Sequence, residues 1–215
     1  MKNLKILSYS RITDDFVSLN GDLILCRSAS DEPNDVAKHW FSEIYNKIGM
    51  EYPKFFKMDR LCKVGTLAAE LVLKDKTFDR ETVKADWAVI LMNSASSLDD
   101  DRQYQETIRD RENYYPSPSI FVYTLANIVT GEIAIRHKIG GESSFYVFEH
   151  FDGARMDELA ARAFDDNPEL NTLLCGWVDY DTDGCDVLLC SFIRKESKES
   201  SENIAEYLNQ LYKNQ

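Results

Sequence analysis

The chain has 215 residues, of which 44% are hydrophobic and 12% aromatic, and this length and composition are typical of one folded domain and not of a disordered segment. Its formal net charge is -12, which disfavours nucleic acid and anionic membranes as partners, because both are negatively charged themselves. No apolar run approaches the roughly 20 residues of a membrane-spanning helix, and Met1–Ser10 has no signal-peptide cleavage site, so we expect a soluble, cytoplasmic protein.

The first half of the chain alternates between strand and helix patterns. A short strand is predicted at Leu4–Tyr9, and a helix at Asn34–Ile48 carries Val36, Trp40, Ile44 and Ile48 at helical spacing. A long helix follows at Lys54–Lys74 and an apolar strand at Trp87–Met92. Such alternation indicates a layered α/β fold with a mostly parallel sheet.

The second half continues this alternation and ends in a hairpin. The predicted elements are a helix at Thr124–His137 with Leu125, Ile128 and Ile135 on its buried face, a strand at Ser144–Phe148, a helix at Met156–Phe164, and strands at Leu173–Val178 and Val187–Ile193 around the turn Asp181–Gly184. The domain is predicted to cover residues 1–194, followed by a polar linker at 195–202 and an amphipathic helix at 203–215. We expect this last helix to cap an open edge of the domain.

The five cysteines form no Cys-x-x-Cys pair and lie mostly in apolar runs, so we predict buried free thiols. The run Asp99–Asp101 superficially resembles a set of metal ligands, but three successive side chains do not converge easily on one ion. We therefore predict neither a metal nor a cofactor.

Three segments, in the same order along the chain, resemble the N-terminal half of β-ketoacyl-carrier-protein synthases. They are Lys57-Met58-Asp59-Arg60 with Ala68-Ala69-Glu70; Pro116–Gly131 with Ser117-Pro118, Phe121, Asn127 and Gly131; and Gly141-Glu142-Ser143, where the family has Gly-Pro-Ser. The resemblance implies a thiolase-like layered α/β/α fold, of which this chain holds the N-terminal half only, with a mixed sheet and helices on both faces. A lone half is expected to leave open the face that its sister half normally covers.

The chain departs from that family where the family has its catalytic cysteine. The equivalent position falls at His150, next to Glu149, and no cysteine occurs between Cys62 and Cys175. The family's two catalytic histidines come from the C-terminal half. The resemblance therefore implies a subunit that is not an enzyme, in which Glu149 and His150 fill a collapsed site; an acid/base pair is the alternative for these two residues.

Chain-length-factor subunits of type II polyketide and aryl-polyene systems are similar in having lost this cysteine while pairing with an active, full-length ketosynthase. The resemblance implies a heterodimer joined through one strand, with other side chains near the partner's acyl tunnel. The pairing strand would be Ser144, Phe145, Tyr146, Val147 and Phe148, and the tunnel residues Ser96, Phe121, Leu125 and Ile128. The resemblance also implies structural roles for Asn127, Gly131, Gly141 and Ser143.

Four basic side chains stand where synthases present cations to the acidic acyl carrier protein. They are Lys54, Lys57, Arg60 and Lys63, and an ordinary solvated helix face is the alternative interpretation. Two other functions stay open: an acyl-thioester hydrolase using His150 with Glu149, or Cys185, and a homodimeric scaffold that binds acyl carriers. The resemblance places the protein in polyene, polyketide or fatty-acid-type synthesis.

Overall fold

The computed structural model describes residues 4–27, 36–74, 79–195 and 203–213. Their strands are β1 (Leu4–Thr13), β2 (Phe16–Leu19), β3 (Asp22–Cys26), β4 (Trp87–Asn93), β5 (Ser143–Val147), β6 (Thr172–Asp181) and β7 (Gly184–Arg194). Their α-helices are α1 (Val36–Lys47), α2 (Arg60–Val72), α3 (Leu98–Ile108), α4 (Pro118–Tyr123), α5 (Ile128–His137), α6 (Gly153–Asp166) and α7 (Ile204–Lys213), and a 3-10 helix covers Pro53–Lys57. Most of the predicted linker, residues 196–202, lies outside the described residues.

The strands form one mixed sheet in the order β3-β2-β1-β7-β6-β4-β5. Strand β4 is parallel to both β5 and β6, whereas the other four neighbouring pairs are antiparallel. The expected mixed sheet with helices on both faces is confirmed, but the expectation of a mostly parallel sheet is wrong. The reason is local, because tight turns join β2 to β3 and β6 to β7: Asn20, Gly21 and Gly184 adopt positive φ there.

Two apolar cores lie on opposite faces of the sheet. Along β4, Val89 and Leu91 belong to the first core, whereas Ile90 and Met92 belong to the second, as the alternation of a strand requires. Helices α1, α2 and α5 cover the first core, and α6 and α7 cover the second. The predicted open face is therefore covered in this structure, and α7 packs on a face of the sheet instead of capping its edge.

Two helices begin later in the chain than the sequence predicts. In the predicted helix Lys54–Lys74, Met58 is extended (φ -75°, ψ 155°), and Asp59 begins α2 by accepting a hydrogen bond from the backbone N–H of Cys62 at 3.2 Å. The predicted helix Thr124–His137 begins only at Ile128, as α5, and α4 lies before the predicted range.

The buried face of α5 also differs from the prediction. Leu125 and Ile135 are 51% and 61% exposed, whereas Val129 and Ile133 are fully buried. Helix α5 approaches α2 closely at Gly65, where an added Cβ would lie 2.5 Å from Cγ2 of Val129. Contact with α2 therefore decides which side of α5 is buried.

All five cysteines are free thiols, as predicted. Cys62, Cys175, Cys185 and Cys190 are buried, but Cys26 is exposed, so its predicted burial is wrong. Among the described residues, no helix has the length and apolar character needed to span a membrane.

Candidate functional site

The carboxyl ends of β4, β5 and β6 meet at one end of the sheet, the usual place for a site in folds with parallel strands. Phe148, which follows β5, donates its backbone N–H to the carbonyl of Asn93 at the end of β4, at 2.9 Å. The side chain of Asn93 is fully buried and exchanges two hydrogen bonds with the backbone of Ser96, at 2.8 and 2.9 Å. Ser96 has a φ of +53°. The loop after β4 is thus a sharp turn held by one buried amide.

Asp179 on β6 organises the same loop from the other side. Its carboxylate accepts hydrogen bonds from the hydroxyl of Ser94 and from the backbone N–H of Ala95, the latter at 3.2 Å. The loop is therefore fixed by contacts within the chain.

The turn that follows β5 contains Glu149 and His150, the position that the sequence resemblance predicts as equivalent to the family's catalytic cysteine. Glu149 and His150 are both exposed, and Asp152 caps α6 by accepting the backbone N–H of Ala154 at 2.8 Å. His150 precedes α6 and is not part of it. The interior of the turn is occupied instead by Phe151, which packs edge-on against Trp177 with ring centroids 6.1 Å apart.

Strand β5 forms one edge of the sheet. The carbonyl of Glu142 accepts from Val89, and the N–H of Phe148 donates to Asn93, both at 2.9 Å. In a parallel ladder the bonding direction alternates along the strand, so Ser144 and Tyr146 also turn their backbone groups toward β4. The remaining residues of the edge, Ser143, Phe145 and Val147, therefore direct their backbone N–H and C=O groups outward.

The four predicted tunnel residues lie in one neighbourhood. The hydroxyl of Ser97, next to Ser96, donates to the carbonyl of Thr124 at 2.6 Å, which ties the loop after β4 to the segment between α4 and α5. Phe121 and Leu125 are each 51% exposed, whereas Ile128 is half-buried against the first core. Because the end of β4 also binds the end of β5, through the carbonyl of Asn93 and the backbone N–H of Phe148, this exposed apolar surface lies at the same end of the sheet as the C-terminal end of β5.

The predicted carrier-docking cluster is partly neutralised within the chain. Lys54 pairs with Glu132 at 2.6 Å, and Arg60 pairs with Asp99 at 3.1 Å. Lys57 is exposed and Lys63 is half-buried. The surface is therefore less positive than the sequence alone suggests.

The predicted structural residues have distinct surroundings. Asn127 precedes α5, but its side chain makes no capping hydrogen bond. An added Cβ at Gly141 would lie 2.1 Å from the carbonyl oxygen of Trp87, so only glycine fits there beside β4. Around Gly131 no atom lies within 4 Å of an added Cβ, and Ser143 begins β5 with an exposed side chain.

A buried pair of carboxyl groups was not predicted. Asp100 on α3 is only 3% exposed and hydrogen-bonds the side chain of Asp59, the N-cap of α2. Burial, together with the charge of Asp59, raises the pKa of Asp100 to about 9. The two residues are far apart in the sequence, and nothing in the acidic run 99–101 marks its middle member as the buried one.

The described residues contain no group of three His, Cys, Asp or Glu side chains arranged to hold a metal ion. Neither the protein-family models nor the sequences of curated proteins match this chain. Solved structures do match it. The chain has the thiolase-like fold of ketosynthases and chain length factors.

Three of these structures are similar over nearly the whole chain. The ishigamide ketosynthase/chain length factor aligns with a TM-score of 0.64 at 15% identity, covering 92% of this chain and 63% of the other. A ketosynthase in complex with its chain length factor from Xenorhabdus doucetiae aligns with a TM-score of 0.57 at 12% identity, covering 98% and 90%. A type II polyketide acyl-carrier protein in complex with its hexaketide-bound ketosynthase gives a TM-score of 0.56 at 12% identity, covering 91% and 63%.

The chain thus spans less than two thirds of the matched chain in the first and third structures. At these identities the likeness establishes the fold, and the predicted thiolase-like fold is confirmed.

Proposed function

We propose that this protein is a non-catalytic, chain-length-factor-like subunit that pairs with an active β-ketoacyl-carrier-protein synthase and shapes its acyl tunnel. The observation that carries the proposal is the unprotected edge at β5. The product would be a polyene, a polyketide or a fatty-acid-type chain.

Natural sheets protect their edges with proline, inward charges, bulges or a covering element, because an open strand invites pairing with another chain. The segment from Ser143 to Phe148 has neither a proline nor a charged residue. Its exposed side chains include Tyr146 and Val147, at 37% and 54%. An aromatic, β-branched strand with outward backbone groups is suited to strand addition by a partner.

The apolar surface beside this edge supports a role in the tunnel. Phe121 packs against Tyr104 with ring centroids 5.4 Å apart, which leaves half of the Phe121 side chain exposed. Exposed apolar side chains of this size, gathered near a pairing edge, are typical of a surface that a partner covers. Phe121 and Leu125 are therefore the residues we expect to line the acyl chain.

The chemistry of the site favours a structural subunit over a hydrolase. Burial raises the pKa of Cys185 well above its usual value, so this thiol is a poor nucleophile. Glu149 and His150 are exposed and lie before α6, so their side chains are open to solvent. Hydrolysis is tested by incubating the pure protein with acyl-carrier thioesters. We expect no turnover, whereas turnover that is lost in His150→Ala would favour the hydrolase.

Strand pairing is tested by a proline that blocks only the outward face of β5. The N–H of Val147 points away from β4, so Val147→Pro removes a donor that the folded chain does not use. The variant is co-expressed with a full-length ketosynthase that the same genome encodes. We expect the variant to fold but not to co-elute with this ketosynthase in size-exclusion chromatography. The matched control, Val147→Ala, keeps the N–H and should co-elute like wild type.

The proposed role in shaping the acyl tunnel is tested separately, by measuring the length of the product chain that the complex makes. Leu125 is half exposed and is one of the residues that we propose to line the acyl path. Leu125→Trp adds bulk there, so the product chain should shorten while the complex stays intact. Wild-type protein that elutes apart from the ketosynthase, with product length unchanged when the subunit is omitted, would falsify the proposal.

A further inference from the structure

Helix α7 is bound to the second face of the sheet by its apolar side. Leu208 is fully buried and Leu211 is 7% exposed, both within the second core. Ile204 and Tyr212 pack against the same core, whereas Gln210 on the other side is exposed. This amphipathic helix therefore forms, with α6, the layer that covers this face.

Helix α7 makes a close contact with α6 at the N-terminus of α6. The first N–H groups of a helix have no partner within the helix and carry partial positive charge. Here the backbone N–H of Gly153 donates to Oδ1 of Asn209 at 3.0 Å. A Cβ at position 153 would lie 2.4 Å from the carbonyl oxygen of Ala205, so the two helices meet over a glycine.

An aromatic contact extends this docking to the turn before α6. The ring of Tyr212 stacks on that of Phe151 at 4.0 Å between centroids, and its hydroxyl donates to Asp186 on β7. The guanidinium of Arg11 lies 4.7 Å above the Tyr212 ring and pairs with Asp186 at 2.5 Å. Residues of α7 thus contact β7, the turn and the start of α6 at once.

We propose that α7 is an internal ligand of α6, which excludes other proteins from the start of that helix and from the turn before it. The bound segment is residues 204–213 of the same chain. Asn209 binds Gly153 through a hydrogen bond, and Tyr212 stacks on Phe151. One surface of the fold is thereby closed, whereas the edge at β5 stays open for association. This last step rests on the proposed function, but the docking of α7 does not.

The test uses the full-length protein with acidic residues substituted on the buried side of α7. Leu208→Asp with Leu211→Asp should release the helix, expose the second core, and produce self-association in light scattering together with faster hydrogen exchange at Gly153 and Ala154. An excess of a synthetic peptide of residues 203–213 should reverse both effects. The control, Asn203→Asp with Gln210→Asp, adds the same charge at two exposed positions. Asp at position 203 still accepts from the backbone N–H of Glu206, so the control should behave like wild type.

A milder variant decides the question if the double substitution prevents folding. Asn209→Leu removes the acceptor from Gly153 and keeps the helix, so exchange at Gly153 should rise about tenfold, as expected for one lost hydrogen bond. The proposal is overturned if hydrogen exchange of the Gly153 amide is as slow in Asn209→Leu, and in every other variant that folds, as in wild type.

Ketosynthase binding by the same proteins separates the two proposals. Val147→Pro should lose the ketosynthase while exchange at Gly153 stays slow. Asn209→Leu should keep the ketosynthase while exchange at Gly153 becomes fast. If the wild-type chain binds no ketosynthase, the proposed function fails, and the exchange data still decide the role of α7.

Discussion

The carboxyl groups of Asp59 and Asp100 share a buried hydrogen bond, and two carboxylates in this position cannot both ionise without repulsion. The carboxylate of Asp59 also accepts a hydrogen bond from the backbone N–H of Cys62 at the N-terminus of α2. Asp100 therefore keeps its proton and joins α3 to α2. Beside it, Asp99 is already paired with Arg60.

The pair makes the stability of the protein depend on pH. Because the pKa of Asp100 is raised to about 9, the folded chain holds a proton that the unfolded chain releases above about pH 4. The free energy of unfolding should therefore fall as the pH rises from about 4 towards 9. Asp100→Asn keeps a donor and cannot ionise, so it should flatten this dependence and stabilise the protein by about 1–3 kcal/mol at pH 8.

The measurement is urea unfolding across that pH range. Asp101→Asn is the matched control, because Asp101 is exposed on the same helix, and it should leave the pH profile of wild type unchanged. Parallel profiles for wild type and Asp100→Asn would show that the pair does not hold its proton.

Two glycines at helical positions should respond in opposite ways to the same substitution. Gly131 lies inside α5 with open space around it, so Gly131→Ala should raise the free energy of unfolding by about 0.5–1 kcal/mol. Gly153 begins α6 against the backbone of α7, so Gly153→Ala should lower it by about 1–3 kcal/mol. Thermal unfolding of both variants checks the signs, and a stabilising Gly153→Ala would contradict the described contact.

Elements with a strong periodic pattern were predictable from the sequence. The hairpin of β6 and β7 follows from Asp183-Gly184, and α6 and β4 follow from their apolar residues. Strands β2 and β3 were missed because they are short and partly exposed, although Asn20-Gly21 is a recognised hairpin turn. The start of α5 was predicted at Thr124 instead of Ile128 because the apolar residues continue before Ile128, and packing on α2 decides which side of the helix is buried.

The site was less predictable than the fold, since its contacts join distant segments. The edge position of β5 depends on strand order, which local pattern does not determine. Asn209 and Gly153 lie far apart in the sequence, as do Tyr212 and Phe151, and no motif links their positions. The outward direction of Val147 likewise follows from hydrogen bonds to β4 and not from its residue type.

The whole molecule has two covered faces and an open edge at β5. Without a ketosynthase, we expect that edge to pair with its copy in a second chain, which gives a weak homodimer. Each copy carries a formal charge of -12, so the two repel, and added salt should strengthen the dimer by screening that repulsion.

Sedimentation equilibrium at low and high ionic strength measures this effect. Val147→Pro should stay monomeric at both, and addition of the ketosynthase should dissociate the wild-type homodimer. A dimer that persists in Val147→Pro would place the contact on another surface.

The centre of the sheet pairs the first described strand with the last, since Leu4 on β1 is opposite Arg194 on β7. During synthesis β1 can pair with β2 at once, but β4, β5 and β6 must all be made before β7, its other neighbour, leaves the ribosome. Pairing at such sequence separation is slow and leaves strands exposed meanwhile. The protein should therefore accumulate in native form more readily when its partner is translated alongside it than when the two are mixed after separate refolding.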